Sequence, residues 1–183
     1  MICIITGDQV YLRPILKSDL THLNRWKNDE DIFRNLGGGY MPVSIDQQEK
    51  WLDSMIDMTG NNRRFIICNF EDLPVGMVGL YNINWIHRCC EIGVYIGNKD
   101  QQGKGFGKEA CILIESFARE YLNLRKLKLY VVKENDKALS MWEKLGYRVV
   151  GVLKEERYIK GQYKDVVIME KFIQQMAGVS YEK

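Results

Sequence analysis

Histidine is scarce in this chain, with only His22 and His87 among 183 residues. A metal centre built on imidazoles has little to draw on, and none is expected. Cysteine occurs five times, at positions 3, 68, 89, 90 and 111, but never in C-x-x-C spacing. An odd number in mostly apolar, strand-like surroundings reads as small buried hydrophobes, and neither a disulfide framework nor a zinc site is expected. Cys89 and Cys90 are adjacent on one strand and so face opposite ways, and neither histidine is placed by spacing to activate a thiol. Proline appears three times and no low-complexity run is present, which excludes a long flexible linker. Charge of one sign is also lacking: 26 Lys and Arg against 24 Asp and Glu leave a net +2, too little for nucleic-acid binding by bulk electrostatics. The apolar stretch over residues 1–5 is too short for a signal h-region or a membrane span. These absences, with 46% hydrophobic residues, lead to an expectation of one domain over residues 1–183, cytoplasmic, with no membrane or nucleic-acid partner.

The chain is rich in patterned segments. Residues 9–14 alternate as a strand, with Val10 and Leu12 on one face and Tyr11 and Arg13 on the other. A helix is expected next, capped by Ser18 and carrying Leu20, Leu23 and Trp26, and fading around residues 31–35. Gly37, Gly38 and Gly39 then force a loop. Ser44 with Gln47 three residues on predicts a capped helix over residues 45–58, with Ile45, Trp51, Leu52, Met55 and Ile56 as its buried stripe. Strands are expected over residues 63–69, 75–85 and 89–96, the first two as a hairpin. A helix over residues 109–122, with Ala110, Ile114, Phe117, Ala118 and Tyr121 on one side, leads to a strand over residues 126–133. That strand–helix–strand order predicts a parallel pair. Asn135 caps a helix stopped by Gly146, and strands over residues 147–153 and 163–172 close the order. The tail from residue 174 carries no clear signal.

The loop Gln102, Gly103, Lys104, Gly105, Phe106, Gly107, Lys108 lies between a strand and a long helix. Such a loop gathers backbone N–H groups at a helix N-terminus, and its glycines let an anion approach the backbone. It is neither a P-loop nor a dinucleotide fingerprint, because the spacings of Gly-Lys-Ser/Thr and G-x-G-x-x-G are both missing. The pattern is Q-x-x-G-x-G, from Gln102 through Gly105 to Gly107. It resembles the acetyl-coenzyme A pyrophosphate loop of the GNAT superfamily of N-acetyltransferases. Asn135-x-x-Ala138 followed by Gly146-Tyr147 resembles that superfamily's other recurring segment. Glu91-Ile-Gly93 and Gly161-Gln-Tyr163 are similar to its RimJ/RimL-like branch and to bacterial spermidine N-acetyltransferases, and His87-Arg88 before Glu91 adds to the second likeness.

The resemblance implies an α/β (α+β) fold: a mixed central sheet of about seven strands with a splayed parallel pair, and about four helices. It implies acetyl-coenzyme A as co-substrate, with no metal, held by Val94, Tyr95, Ile96, the loop residues 102–108, Asn135 and Ala138. The strands are expected to part after Gly93 or Val94, leaving Val94 and Ile96 backbone groups free. It also implies direct transfer of an acetyl group to a primary amine of a small molecule. The alternatives are a ribosomal-protein-type N-terminal acetyltransferase and a coenzyme A-binding module without turnover. Glu91 is the candidate general base, set against a plain structural role beside Arg88 or another cation. Tyr40, Tyr81 and Trp85 are candidate walls for the amine, while Trp26 reads better as core. The tyrosine often found four residues after the motif alanine is replaced by Trp142, whose indole donates no proton at neutral pH, so no general acid is assigned. The spermidine enzymes carry an acidic segment where this chain has Leu36-Gly37-Gly38-Gly39, so a polyamine is not favoured over an amino sugar nucleotide, an aminoglycoside or a protein N-terminus. Exposed edge strands and the terminal hairpin would allow a homodimer.

Overall fold

A computed structural model describes residues 5–174. Cys3 and the tail over residues 175–183 lie outside them. The described residues form one eight-stranded sheet in the order β1-β2-β3-β4-β5-β6-β8-β7. Its strands are β1 (Ile5–Thr6), β2 (Val10–Pro14), β3 (Arg63–Asn69), β4 (Pro74–Asn84), β5 (Cys89–Ile96), β6 (Lys126–Val132), β7 (Arg148–Ile159) and β8 (Gln162–Phe172). The helices are α1 (Leu20–Lys27), α2 (Glu30–Phe33), α3 (Ile45–Ile56), α4 (Phe106–Glu120) and α5 (Asp136–Lys144). All strand neighbours run antiparallel except β5 and β6. The extra strand is the two-residue β1, and the extra helix is the one-turn α2, both too short to leave a periodic trace.

Alternation along the strands gives the sheet two apolar faces. Val10, Leu12, Val78, Leu80, Ile92, Leu127 and Leu129 point to one face, where Ala110, Cys111, Ile114 and Ala118 of α4 and Trp142 of α5 cover them. Tyr11, Ile66, Cys68 and Met77 point to the other, under Leu23 and Trp26 of α1, Ile32 and Phe33 of α2, and Leu52 and Met55 of α3. Local chemistry sets the turns. Asn69 accepts the N–H groups of Glu71 and Leu73 between β3 and β4. Lys160 and Gly161, both at positive φ, make the two-residue hairpin between β7 and β8. Asn135 accepts the Ala138 N–H at 3.3 Å and Gly146 (φ 87°) ends α5, as their residue types predict.

Several expectations are corrected. Ser18 is no cap: residues 17–19 form a 3-10 turn, fixed by Asp19, which accepts the Leu16 N–H at 2.8 Å and pairs with Arg13. Ser44 does cap α3, accepting the Gln47 N–H, but the buried positions of that helix are Gln48, Leu52 and Met55. Ile45, Trp51 and Ile56 are exposed, because α3 touches the molecule along a narrow line beside α1. Tyr121 falls at the end of α4 and is exposed too. β7 runs six residues past its expected end. Asp165 binds the Lys154 ammonium and the Glu155 N–H, and beyond this irregular register pairing resumes at Arg157 and Lys164.

Candidate active site

β5 and β6 pair only at Cys89–Lys126, Cys90–Leu127 and Glu91–Lys128, and then separate. The splay thus begins after Glu91, two or three residues before Gly93 or Val94, where the sequence reading placed it. It opens a cavity of about 1350 Å³ that runs through the sheet, from Asn135 and Ala138 on the α5 side to Gly37, Trp51 and Arg64 on the other. That exceeds the roughly 300–1,000 Å³ of an ordinary small-ligand pocket and leaves room for two molecules.

The glycine loop stands at one mouth. Gly105 is the N-terminal cap of α4 at φ 90°, a left-handed conformation that glycine adopts without strain. The first intrahelical bond joins the Glu109 N–H to the Gly105 carbonyl, so the N–H groups of Phe106, Gly107 and Lys108 are left to face outward partners. A Cβ on Gly107 would lie 3.6 Å from Ile96 and 3.9 Å from Val94, which sets this loop against the free end of β5. Gly103, Lys104 and Gly105 are exposed, and Lys104 donates to Gln101. Lys108 lines a shallow depression with Lys137 and Lys144. A residue not singled out from the sequence steadies this end: Glu109 accepts the N–H groups of Asp8 and Gln9, tying α4 to the β1–β2 turn.

Along β5 the peptide groups alternate. The Gly97 N–H donates to Val75 on β4, so those of Val94 and Ile96 turn toward the slot left by β6. The Ile96 carbonyl is not free, since the Gln102 side chain donates to it at 2.9 Å. Side chains alternate as well. Glu91 and Tyr95 line the cavity, and Gly93 between them lets the Tyr81 ring lie flat across the strands. A Cβ on Gly79 would come within 2.7 Å of that ring and one on Gly93 within 3.3 Å. Burial raises the phenol pKa values of Tyr81 and Tyr95, with Arg64 opposing the shift at Tyr81, so both are neutral hydrogen-bonding groups near neutral pH.

Glu91 has two partners. The Asn82 amide, aimed by the irregular register after Tyr81, donates to it at 3.2 Å, and the Lys128 ammonium stands at 3.9 Å. Arg88 turns away to Asn123. Of the three aromatic walls expected for an amine, only Tyr81 lines the cavity. Tyr40 donates to the Asn28 carbonyl and Trp85 to Asn61, both on the outer surface. Trp26 is core, as its spacing indicates. Trp142 is buried against Tyr147, with ring centroids 5.0 Å apart, and reaches the cavity with one edge.

Lys27, Phe33, Trp51, Arg64 and Arg157 complete the far end. Nothing in sequence spacing marks them, because they come from five separate elements. Lys27 sits 4.4 Å over the Phe33 ring, Arg64 5.3 Å over Tyr81, and Arg157 donates to the Asn35 carbonyl at 2.7 Å. Burial lowers the pKa of both Lys27 and Arg157. The acids over residues 29–31 are engaged: Asp29 and Asp31 with Lys99, Asp31 also with Arg34, and Glu30 with Lys160. Among the described residues no cluster of His, Cys, Asp and Glu could hold a metal ion, and no helix is long and apolar enough to cross a membrane.

Comparison with known proteins gives a consistent result. The family model described as an acetyltransferase (GNAT) domain matches residues 9–148. The spermidine N(1)-acetyltransferase of Escherichia coli (strain K12) is 33% identical over 165 residues, 90% of this chain and 86% of that protein. The crystal structure of the Vibrio cholerae spermidine N-acetyltransferase in complex with CoA and spermine superposes with a TM-score of 0.84 at 31% identity, covering 91% of this chain and 96% of that one. A dodecameric structure of the Vibrio cholerae enzyme aligns with a TM-score of 0.79 at 30% identity, over 91% and 95% of the two chains.

Proposed function

Since the chain belongs to the GNAT acetyltransferase family and is an acetyl-coenzyme A-dependent N-acetyltransferase of a small-molecule amine, we propose that transfer takes place in the slot between β5 and β6. One observation carries the proposal: a single cavity joins the α4 and α5 side of the slot to the Glu91 side of the sheet. The outward N–H groups of residues 106–108 at the cap of α4 suit the pyrophosphate, with Gln102, Gly103 and Lys104 at the loop's rim. The free edge of β5 at Val94 and Ile96 suits the pantetheine amides as a missing strand would, beside Tyr95, and Asn135 and Ala138 close the opposite side. Bound there, the coenzyme supplies an activated acetyl thioester. The amine nitrogen forms a bond to the acetyl carbon, the carbon–sulfur bond breaks, and the amine gives up one proton.

Glu91 is the group proposed to accept that proton, directly or through one water. Asn82 and Lys128 hold its carboxylate on the cavity wall. The Val94 N–H, pointing into the slot, is the proposed donor to the developing oxyanion. Glu91→Gln keeps the shape and the Asn82 contact, and it is expected to lower kcat about 100-fold or more while the affinity for acetyl-coenzyme A stays the same. An unchanged kcat would leave Glu91 as a structural partner of Lys128. Thermal stabilisation by acetyl-coenzyme A followed by a thiol-release assay with small amines tests the reading as a whole. Stabilisation without release for any amine would favour a binding module.

The relatives' acceptor gives a second reading, in which the amine is a polyamine. In that reading Glu91, Asp31 and Glu134 are the cavity carboxylates that would meet its ammonium groups. A cytoplasmic location goes with use of the coenzyme pool. Self-association is also proposed, beyond the homodimer that the exposed strands suggest. Ile45 and Ile56 on α3 and Val149 and Val152 on β7 leave apolar surface uncovered, and the Vibrio cholerae relative is dodecameric. Light scattering on an eluting peak should then give a mass several times 21.4 kDa, and a monomer mass at micromolar concentration would reject this.

A further inference from the structure

We infer that the acetyl acceptor carries an anionic group, a phosphate or a carboxylate, and that Lys27, Arg64 and Arg157 hold it at the far end of the cavity. The inference rests on the acetyl-transfer reading and narrows its acceptor. The three cations come from α1, β3 and β7, and none forms an ion pair within 4.0 Å among the described residues. What holds them is neutral: the faces of Phe33 and Tyr81, and one backbone carbonyl. Each is half-buried. Taking a cation out of water without a counter-charge is unfavourable, and at Lys27 and Arg157 burial already disfavours the charged form. A bound anion would offset that cost.

The carboxylates at this end are in the opposite condition. Asp31 is paired with Arg34 and Lys99, Glu91 with Lys128, and Glu134 with Lys164. Asp136, also on the wall, begins α5 on the coenzyme side. The field at the acceptor end is therefore set by the unpaired cations, and an ammonium-rich ligand would meet repulsion there. The coenzyme's own phosphates do not account for these cations, since its proposed anchor is the start of α4, across the sheet. Arg157, where pairing resumes after the irregular stretch in β7, donates to the Asn35 carbonyl, and four of its five N–H donors remain for a fork-like contact with phosphate or carboxylate.

The test uses the full chain with saturating acetyl-coenzyme A and matched acceptors: ethanolamine with phosphoethanolamine, glucosamine with glucosamine 6-phosphate, propylamine with β-alanine, and spermidine alone. The anionic member of at least one pair should show kcat/KM about 10-fold or more above its neutral partner, with the advantage shrinking as salt is raised. Success confined to the third pair would assign a carboxylate, and to the first two a phosphate. Arg157→Gln and Arg64→Gln should reduce that ratio about 10-fold, mainly through the acceptor KM, with the acetyl-coenzyme A KM unmoved. Arg157→Lys should restore part of it, which a purely structural role for the Asn35 contact would not. Preference for spermidine or for the neutral members would overturn the inference and leave acetyl transfer standing. A chain that binds acetyl-coenzyme A yet releases no thiol with any of the seven amines would overturn both.

Discussion

Gly105→Asp should abolish stabilisation by acetyl-coenzyme A. The substitution acts in two ways at once. At φ 90° an L-residue is strained, by about 1–2 kcal/mol, which loosens the cap from which the first N–H groups of α4 project. The carboxylate then stands where those N–H groups and the positive end of the helix dipole would meet a pyrophosphate, and competes with it. The nearest atom to a Cβ there is the Gln9 amide at 3.9 Å, so the protein itself has room for the change and should fold. In a melting experiment the parent chain gains roughly 2–4 kcal/mol at ligand levels 100 to 1,000 times the dissociation constant. The variant should gain nothing measurable at the same concentration. Gly105→Ala, strained but uncharged, should keep a reduced shift. Full stabilisation of the Asp variant would place the pyrophosphate elsewhere.

Asp19→Ala should destabilise the fold by about 3–5 kcal/mol, although it lies away from the cavity. Asp19 is 2% exposed, and its two oxygens take both terminal nitrogens of Arg13, at 2.6 and 2.7 Å, together with the Leu16 N–H. Removing it strands a guanidinium that is itself only 13% exposed and releases the 3-10 turn that starts α1. The exposed pair Lys17–Asp53, 3.5 Å apart with side chains 82% and 62% exposed, is the contrast, and Asp53→Asn should cost less than about 0.5 kcal/mol. Urea unfolding with an unchanged m-value would report both. A loss below about 1 kcal/mol for Asp19→Ala would mean that the turn repacks around Arg13.

Much of the architecture could be read from the chain because its signals are local. Strand alternation, the Ser44 and Asn135 caps, the Gly146 stop and the loop at Gly105 each depend on residues within a few positions of one another. The proposed coenzyme end shares that property, since Gln102 to Lys108 is one continuous stretch at the head of one helix. The proposed acceptor end does not. Arg64, Arg157 and Lys27 reach one cavity from β3, β7 and α1, far apart in the chain, and no spacing encodes that. Aromatic composition misled there: Tyr40 and Trp85 are wall-like residues in loop positions, but their polar atoms find backbone or amide partners on the outer surface. The stripe expected on α3 failed for a related reason. Periodicity says which residues share a face, not how wide a contact the neighbouring layer offers.

The early parting of β5 and β6 makes the sheet a partition with a slot in it. The coenzyme is assigned to one side and the amine to the other, so neither has to pass the other on the way in. Each product can also leave by its own door. Such a partition needs no covalent acetyl carrier on the protein, because both reactants can be present together, and neither arrival has to precede the other.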